Sequence, residues 1–187
     1  MIVAAAALRT ELLFVRGLTR VRTGVGPRAA KRLSRALERL RPRGAVILGF
    51  CGATHAYLVP GTFILATSVR HDGEELEVTP ELVARAREKL PDAELGALTT
   101  SDGIADPATK ARLSLDSVAA DMESFHLARE LRARGIPFLV VRCVLDALWE
   151  DLSHAPKARW AARALACARK LGTAAEVLAS VVAGGEG

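Results

Sequence analysis

The sequence of 187 residues contains no asparagine and no glutamine, and aromatic residues make up only 4% of it. The two missing amides are thermolabile, and their absence from a chain rich in arginine, alanine and proline is typical of a heat-adapted or GC-rich source, which concerns stability and not function. So few aromatic rings argue against a stacking platform for single-stranded nucleic acid. The net charge of +5 comes from arginines spread along predicted helices. We interpret these arginines as solvated helix faces and expect no nucleic-acid partner.

Cysteines and long apolar runs are also scarce. The three cysteines, Cys51, Cys143 and Cys167, are widely spaced in apolar stretches, so they indicate neither a disulfide framework nor a paired metal motif. This usage favours the reducing cytoplasm. The apolar run before Arg9 is too short to span a bilayer and lacks the charged start of a signal peptide. We therefore expect no membrane partner.

The order of apolar and amphipathic segments indicates an α/β fold in one domain over residues 1–187. Short runs of valine, isoleucine and leucine alternate with longer stretches of helical periodicity, as in a sheet buried between helix layers. The predicted strands are 2–7, 18–23, 45–50, 62–69, 95–100 and 138–144. The predicted helices are 27–40, 80–89, 122–134 and 155–182.

Glycine-rich turns follow two of the predicted strands. One contains Gly24 and Gly26 and opens a helix, and the other covers residues 49–54. Glycine at such a place permits close approach of the backbone to a ligand. The first turn lacks the third glycine and the downstream acid of a dinucleotide fingerprint, and the four histidines do not cluster. We therefore expect neither a cofactor nor a metal.

Three acidic residues stand at predicted strand ends or helix starts. Asp146 follows the most hydrophobic predicted strand, where partial desolvation raises the pKa of a carboxyl and lets it hold a proton to donate. Asp146 is equally well interpreted as the N-cap of a helix or as the ion-pair partner of Arg142. Glu123 opens a predicted helix, where it is also explained as a favourable charge at the helix N-terminus. Glu11 follows the first predicted strand, with the same alternative.

Cleavage of the N-glycosidic bond of a nucleoside makes demands that such a set of acids meets. The transition state resembles an oxocarbenium ion, which needs a carboxylate at the ribose hydroxyls. The departing base needs a general acid, and the reaction also needs a base to activate water or a site to hold phosphate. Three separated carboxylates satisfy these requirements.

Two segments in the second half of the chain carry a family signature. Residues 119–124 read AADMES, and residues 136–146 read IPFLVVRCVLD. Together they resemble the paired signature of the nucleoside phosphorylase and nucleosidase superfamily, and the turns TGVG, GFCGA and VPGT resemble that family's earlier motifs in order. The pattern is similar to methylthioadenosine/adenosylhomocysteine nucleosidases and to the compact branch near hopanoid-associated phosphorylases. The resemblance implies a three-layer α/β/α sandwich with a central mixed sheet, of the phosphorylase/hydrolase type.

The resemblance also implies roles for individual residues. Met122 and Glu123 would bind the ribose, and Asp146 would protonate the purine ring or bind its edge. Glu11 would activate the attacking water, and Arg142 would orient the carboxylates around that water. The other substrate-binding residues that it implies are Phe50, Gly52 and Ile104.

Three interpretations of the function stay open. The first is hydrolysis of a purine nucleoside such as methylthioadenosine or adenosylhomocysteine. The second is phosphate-dependent cleavage, for which the candidate phosphate ligands are Arg9, Gly24, Gly26 and Arg28. The third is a non-catalytic nucleoside-binding protein. Hydrolysis is favoured, because Phe50 stands where relatives carry a small hydroxyl residue and no arginine precedes Gly49, as one often does in phosphorylases.

Assembly is expected as well. Relatives in this family often form homodimers or larger homo-oligomers, and the sequence places apolar residues such as Leu58, Val59 and Phe63 beside a shortened loop region. We therefore expect a homodimer or a larger homo-oligomer.

Overall fold

A computed structural model describes residues 1–152 and 157–184 of the chain. Within this part the strands are β1 (Ile2–Ala6), β2 (Thr19–Arg22), β3 (Gly44–Ala53), β4 (Phe63–His71), β5 (Glu74–Glu77), β6 (Glu94–Thr100), β7 (Ala119–Asp121) and β8 (Phe138–Asp146). The helices are α1 (Arg28–Leu40), α2 (Pro80–Lys89), α3 (Pro107–Leu113), α4 (Ser124–Arg132) and α5 (Lys157–Ala183), and a short 3-10 helix covers Thr10–Leu12. All predicted strands and helices are present, although the predicted start of the last helix, Ala155, lies outside the described residues.

The strands form one mixed sheet, which confirms the predicted α/β class. Their order is β2-β1-β3-β7-β6-β4-β5, and β8 pairs with both β3 and β4. The pairs β1/β2, β1/β3 and β3/β8 are parallel, whereas β8 runs antiparallel to β4 and β7 runs antiparallel to β3. Because β8 closes the path from β3 to β4, the central strands form a ring instead of an open ladder.

Helices cover both faces of this sheet. Helix α1 packs beside α4, and α2 packs beside α5. In α1 the residues Ala29, Leu33 and Leu37 recur every fourth position and are buried, which gives the helix one apolar stripe toward the core. Strand β3 is buried without interruption from Gly44 to Gly49, as expected for a strand with a helix layer on each side. The result is the predicted three-layer arrangement.

Two strands and one helix were not predicted. Strand β5 reads EELE and has no apolar alternation, and it forms a hairpin with β4 through Asp72 and Gly73, whose φ angles are 48° and 79°. Strand β7 has only three residues. Helix α3 begins after Asp106, whose side chain accepts a hydrogen bond from the Thr109 amide at 2.7 Å. These elements are too short or too polar for a periodicity argument.

The apolar residues expected at an interface are distributed differently. Val59 is exposed and Phe63 is half-buried, but Leu58 is buried in the core of its own chain and has no surface to offer a partner. Oligomerisation therefore stays a prediction that Leu58 does not support. Among the described helices, none combines the length and the apolarity needed to cross a bilayer.

Candidate active site

A cavity of about 170 Å³ lies where several strands end, and most of the predicted site residues meet there. Strands β1, β3 and β8 run parallel, so their carboxyl ends share one edge of the sheet, and the end of β7 meets β3 through the pair Gly52 and Ala120. The predicted residues that line the cavity are Glu11, Phe50, Gly52, Ile104, Met122, Glu123 and Asp146. Glu11 and Asp146, which are 135 positions apart in sequence, therefore belong to one site.

Glu11 is fixed by backbone amides on both of its carboxylate oxygens. It lies in the short helix that follows β1 and is buried. The Phe50 amide donates to Oε1 at 2.8 Å, and the Leu8 amide donates to Oε2 at 2.7 Å. Burial raises the pKa of Glu11, although Arg142 and the two amides oppose that rise. A carboxyl whose pKa moves toward neutrality is suited to accept a proton.

Arg142 lies on β8 behind the cavity and binds the acids that face it. Its Nη2 is 2.6 Å from Oδ2 of Asp121 and 3.9 Å from Oε2 of Glu123, and both Nε and Nη2 donate to Oγ of Ser124, at 3.0 and 2.8 Å. Gly49 makes room for this group, since a Cβ there would lie 1.7 Å from Nη1 of Arg142. The guanidinium is therefore sterically and electrostatically fixed within the cluster.

Glu123 lies between Arg142 and the glycine turn that precedes α1. Its Oε1 accepts a long hydrogen bond of 3.4 Å from the Gly26 amide. Burial raises the pKa of Glu123 to about 7; Arg142 opposes this, and Asp121 and Glu11 add to it. Charge at the helix N-terminus is supplied by Asp121 instead, whose Oδ1 accepts from the amides of Glu123 and Ser124, both at 3.2 Å. Glu123 is thus left free of a capping hydrogen bond.

Asp146 ends β8 and is buried against a lysine that sequence reasoning missed. The ammonium of Lys110, on α3, donates to Oδ2 of Asp146 and to the carbonyls of Ala147 and Glu150, the last two at 2.9 and 2.7 Å. Burial raises the pKa of Asp146, and Lys110 opposes that rise. Asp146 is therefore neither a helix cap nor the partner of Arg142. The local sequence gives no sign of the pair, because its two members are 36 positions apart.

The residues of the phosphate alternative lie outside the lining of the cavity. Arg9 and Arg28 are exposed. Gly24 and Gly26 have positive φ angles of 76° and 73°, which explains the glycines without a ligand. A Cβ on Gly24 would lie 1.8 Å from the guanidinium of Arg32. These positions are explained by the turn and by its packing.

The chemistry of the lining is otherwise acidic and apolar. Burial raises the pKa of the Cys51 thiol, so this residue is a packed apolar group and not a nucleophile. Within residues 1–152 and 157–184, no group of three or more histidine, cysteine or acidic side chains could hold a metal ion. Ile104 is 58% exposed and lines the cavity, as do the exposed residues Leu8 and Val25.

Comparison of the sequence with protein families gives one decisive match. The model of the phosphorylase superfamily matches residues 13–179, which is most of the chain. The chain belongs to the phosphorylase superfamily. This confirms the predicted family and, at the level of the superfamily, the predicted class of enzyme. A search of curated protein sequences found no match.

Several solved structures share the fold at low sequence identity. The futalosine hydrolase of Helicobacter pylori superposes with a TM-score of 0.81 at 14% identity, over 96% of this chain and 97% of that one. A methylthioadenosine/adenosylhomocysteine nucleosidase of Colwellia psychrerythraea in complex with adenine gives 0.83 at 17% identity, over 97% and 95%. The corresponding nucleosidase of Streptococcus pneumoniae, with a transition-state inhibitor, gives 0.79 at 18% identity, over 97% of each chain.

Proposed function

We propose that this protein hydrolyses the N-glycosidic bond of a purine nucleoside, with methylthioadenosine and adenosylhomocysteine as candidate substrates. The observation that carries the proposal is the convergence of three buried residues, Glu11, Glu123 and Asp146, on one cavity. Membership of the phosphorylase superfamily and the likeness of the fold to nucleosidases support it.

Each carboxyl group is suited to a different part of this reaction. Glu11 takes a proton from the attacking water as the water oxygen bonds to C1′ of the ribose. The electron pair of the breaking C–N bond stays with the base, which receives a proton from Asp146. Glu123 accepts hydrogen bonds from the ribose hydroxyls and stabilises the positive charge that develops on the sugar. In the overall reaction, one water and one nucleoside give one free ribose sugar and one free base.

Charge in the cavity favours water over phosphate as the nucleophile. Of the described lining residues, only Lys110 has a cationic side chain, and its ammonium group already donates to three acceptors. Glu11 and Glu123 would repel a phosphate dianion that approached the ribose from their side. Phe50 adds an apolar ring at the position where an anion would otherwise need a donor.

The nucleophile is tested by measuring release of base from purine nucleosides with and without phosphate. We expect cleavage without phosphate, with free ribose sugar as the product. Glu11→Gln should slow it by a factor on the order of a hundred or more, because loss of a general base typically costs that much. Nucleoside binding measured by calorimetry should persist. Glu88→Gln, on the exposed face of α2, is the matched control and should keep full activity.

Two results would contradict the proposal. Activity that appears only with added phosphate and yields ribose 1-phosphate would assign the protein as a phosphorylase and make Arg9 and Arg28 the next residues to replace. If the protein bound nucleosides and cleaved none of them, it would be a non-catalytic nucleoside-binding protein.

A further inference from the structure

A lysine whose side chain is only 1% exposed forms part of the wall of the cavity, which is unusual because a buried ammonium group is costly unless it is paired. The ammonium group of Lys110 donates hydrogen bonds to three acceptors, which are Asp146 and the carbonyls of Ala147 and Glu150, and these bonds offset its desolvation. An ammonium group has three N–H donors, so all of them are used. Lys110 is therefore neither a free phosphate ligand nor an accessible nucleophile, and it acts on the site through Asp146.

The surroundings of Asp146 make Lys110 its dominant partner. Among the described residues, Glu150 from the loop after β8, Arg163 from α5 and Cys51 from β3 also interact electrostatically with Asp146. Arg163 donates to both carboxylate oxygens of Glu150, at 2.6 and 3.2 Å, so its charge is largely matched there. Lys110 alone among these groups donates directly to the Asp146 carboxylate.

We propose that Lys110 is a positioning residue for proton donation to the leaving base. It binds Oδ2 of Asp146 and so assigns Oδ1 to the base, and it stabilises the carboxylate that remains once the proton has left. The same ammonium group ties α3 to the loop after β8. The inference rests on the proposed function, since it concerns the proton that the base receives.

Removal of the ammonium group has a distinctive effect on the pH profile. Lys110 opposes the rise in the pKa of Asp146 that burial causes. In Lys110→Met the pKa of Asp146 should therefore rise. On the alkaline limb of the pH profile, kcat/KM falls because Asp146 loses the proton that it donates, so this fall should occur at higher pH in the variant. The limiting kcat should fall by roughly tenfold or more, because a weaker acid donates less readily. A lysine that only supported the fold would lower stability and leave this limb in place.

Two measurements on the full chain test this. The first is the pH dependence of base release by wild type and Lys110→Met, with Lys89→Met on the exposed face of α2 as the matched control. The second does not need activity and follows the carboxyl carbon of Asp146 by NMR in protein labelled at aspartate, with Asp146→Asn to identify the signal. We expect both the kinetic limb and the NMR titration to move to higher pH in Lys110→Met only.

The outcomes separate the two proposals. An Asp146 titration that does not change in Lys110→Met overturns the inference, and so does a shifted titration with an alkaline limb that stays in place. A wild-type protein that cleaves no nucleoside refutes the proposed function and the proton-donation role with it, while the NMR comparison still decides whether Lys110 controls the protonation of Asp146. If Lys110→Met does not fold, Lys110→Gln removes the charge but keeps donors for the two carbonyls, and the same shifts are expected.

Discussion

Replacement of Glu123 by glutamine should stabilise the fold while it slows the proposed reaction. Glu123 is buried beside Arg142, yet that guanidinium is 3.9 Å away and binds Asp121 more closely, at 2.6 Å. The net effect of burial, Arg142 and the neighbouring acids is to raise the pKa of Glu123 from 4.5 to about 7. Ionised Glu123 is thus destabilising in the folded state, and a neutral amide removes that cost.

The size and pH range of the effect follow from this shift. Between pH 4.5 and about 7 the folded protein holds a proton on Glu123 that the unfolded chain has lost, so the free energy of unfolding falls as the pH rises. One pH unit corresponds to about 1.4 kcal/mol, which gives a total loss of about 3 kcal/mol above neutrality. Below pH 4.5 both states are protonated and the loss vanishes. The free energy of unfolding of Glu123→Gln should not show this loss, because the amide does not ionise.

Urea unfolding of wild type and Glu123→Gln at pH about 5 and about 8 measures the difference. The variant should gain about 2 to 3 kcal/mol relative to wild type at the higher pH and much less at the lower one. Glu88→Gln is the control for loss of an exposed carboxylate. A gain that is the same at both pH values, or a variant less stable than wild type at the higher pH, would refute the argument from burial. Base release by the variant should fall at the same time, because an amide stabilises a developing ribosyl cation less than a carboxylate does.

Two further substitutions test the geometry of the site. Asp146→Asn should keep the fold, as judged by circular dichroism, and slow base release by a factor on the order of a hundred or more, since it cannot donate the proton; unchanged turnover in the folded variant would remove Asp146 from the mechanism. Gly49→Ala should lower the free energy of unfolding by about 1 to 3 kcal/mol or more, because its Cβ would lie 1.7 Å from the buried guanidinium of Arg142. Gly103→Ala, with open space around its Cβ, is the matched control and should unfold like wild type in the same urea titration.

The sequence predicted the long elements and the acids at their ends for a physical reason. A strand such as β8 is buried on both faces and reads as an apolar run in which Arg142 is the one charged residue before Asp146, so its end, and with it Asp146, can be located from composition alone. Glu11 follows β1, which is parallel to β3 and β8, so it lies at the same edge of the sheet. Glu123 follows β7, which runs antiparallel to β3 and reaches the site where it pairs with the end of β3. Their proximity follows from the topology that the family resemblance implied.

Partners across the sheet could not be predicted in the same way. Helix α3 has ordinary local signals, with Asp106 at its start and Pro107 in its first turn, but these signals say nothing about which side chain is buried. Lys110 is buried only because β8 brings Asp146 to it from 36 positions further along the chain. Asp121 likewise looks like a helix-capping residue, and its ion pair with Arg142 becomes visible only in three dimensions.

The balance of charge around the cavity connects these pairs to the chemistry. Asp146 and Lys110 form a pair that is neutral once Asp146 has given up its proton, whereas Glu11, Asp121 and Glu123 share the one guanidinium of Arg142. This excess of acid over base is one reason why the pKa values of Glu11 and Glu123 are raised. A positive charge that develops on the ribose would supply the missing partner, and the carboxylates would stabilise it without rearrangement because backbone amides and Arg142 already hold them in place. The negative cluster and the neutral pair thus divide the site into a part suited to the sugar cation and a part suited to the base.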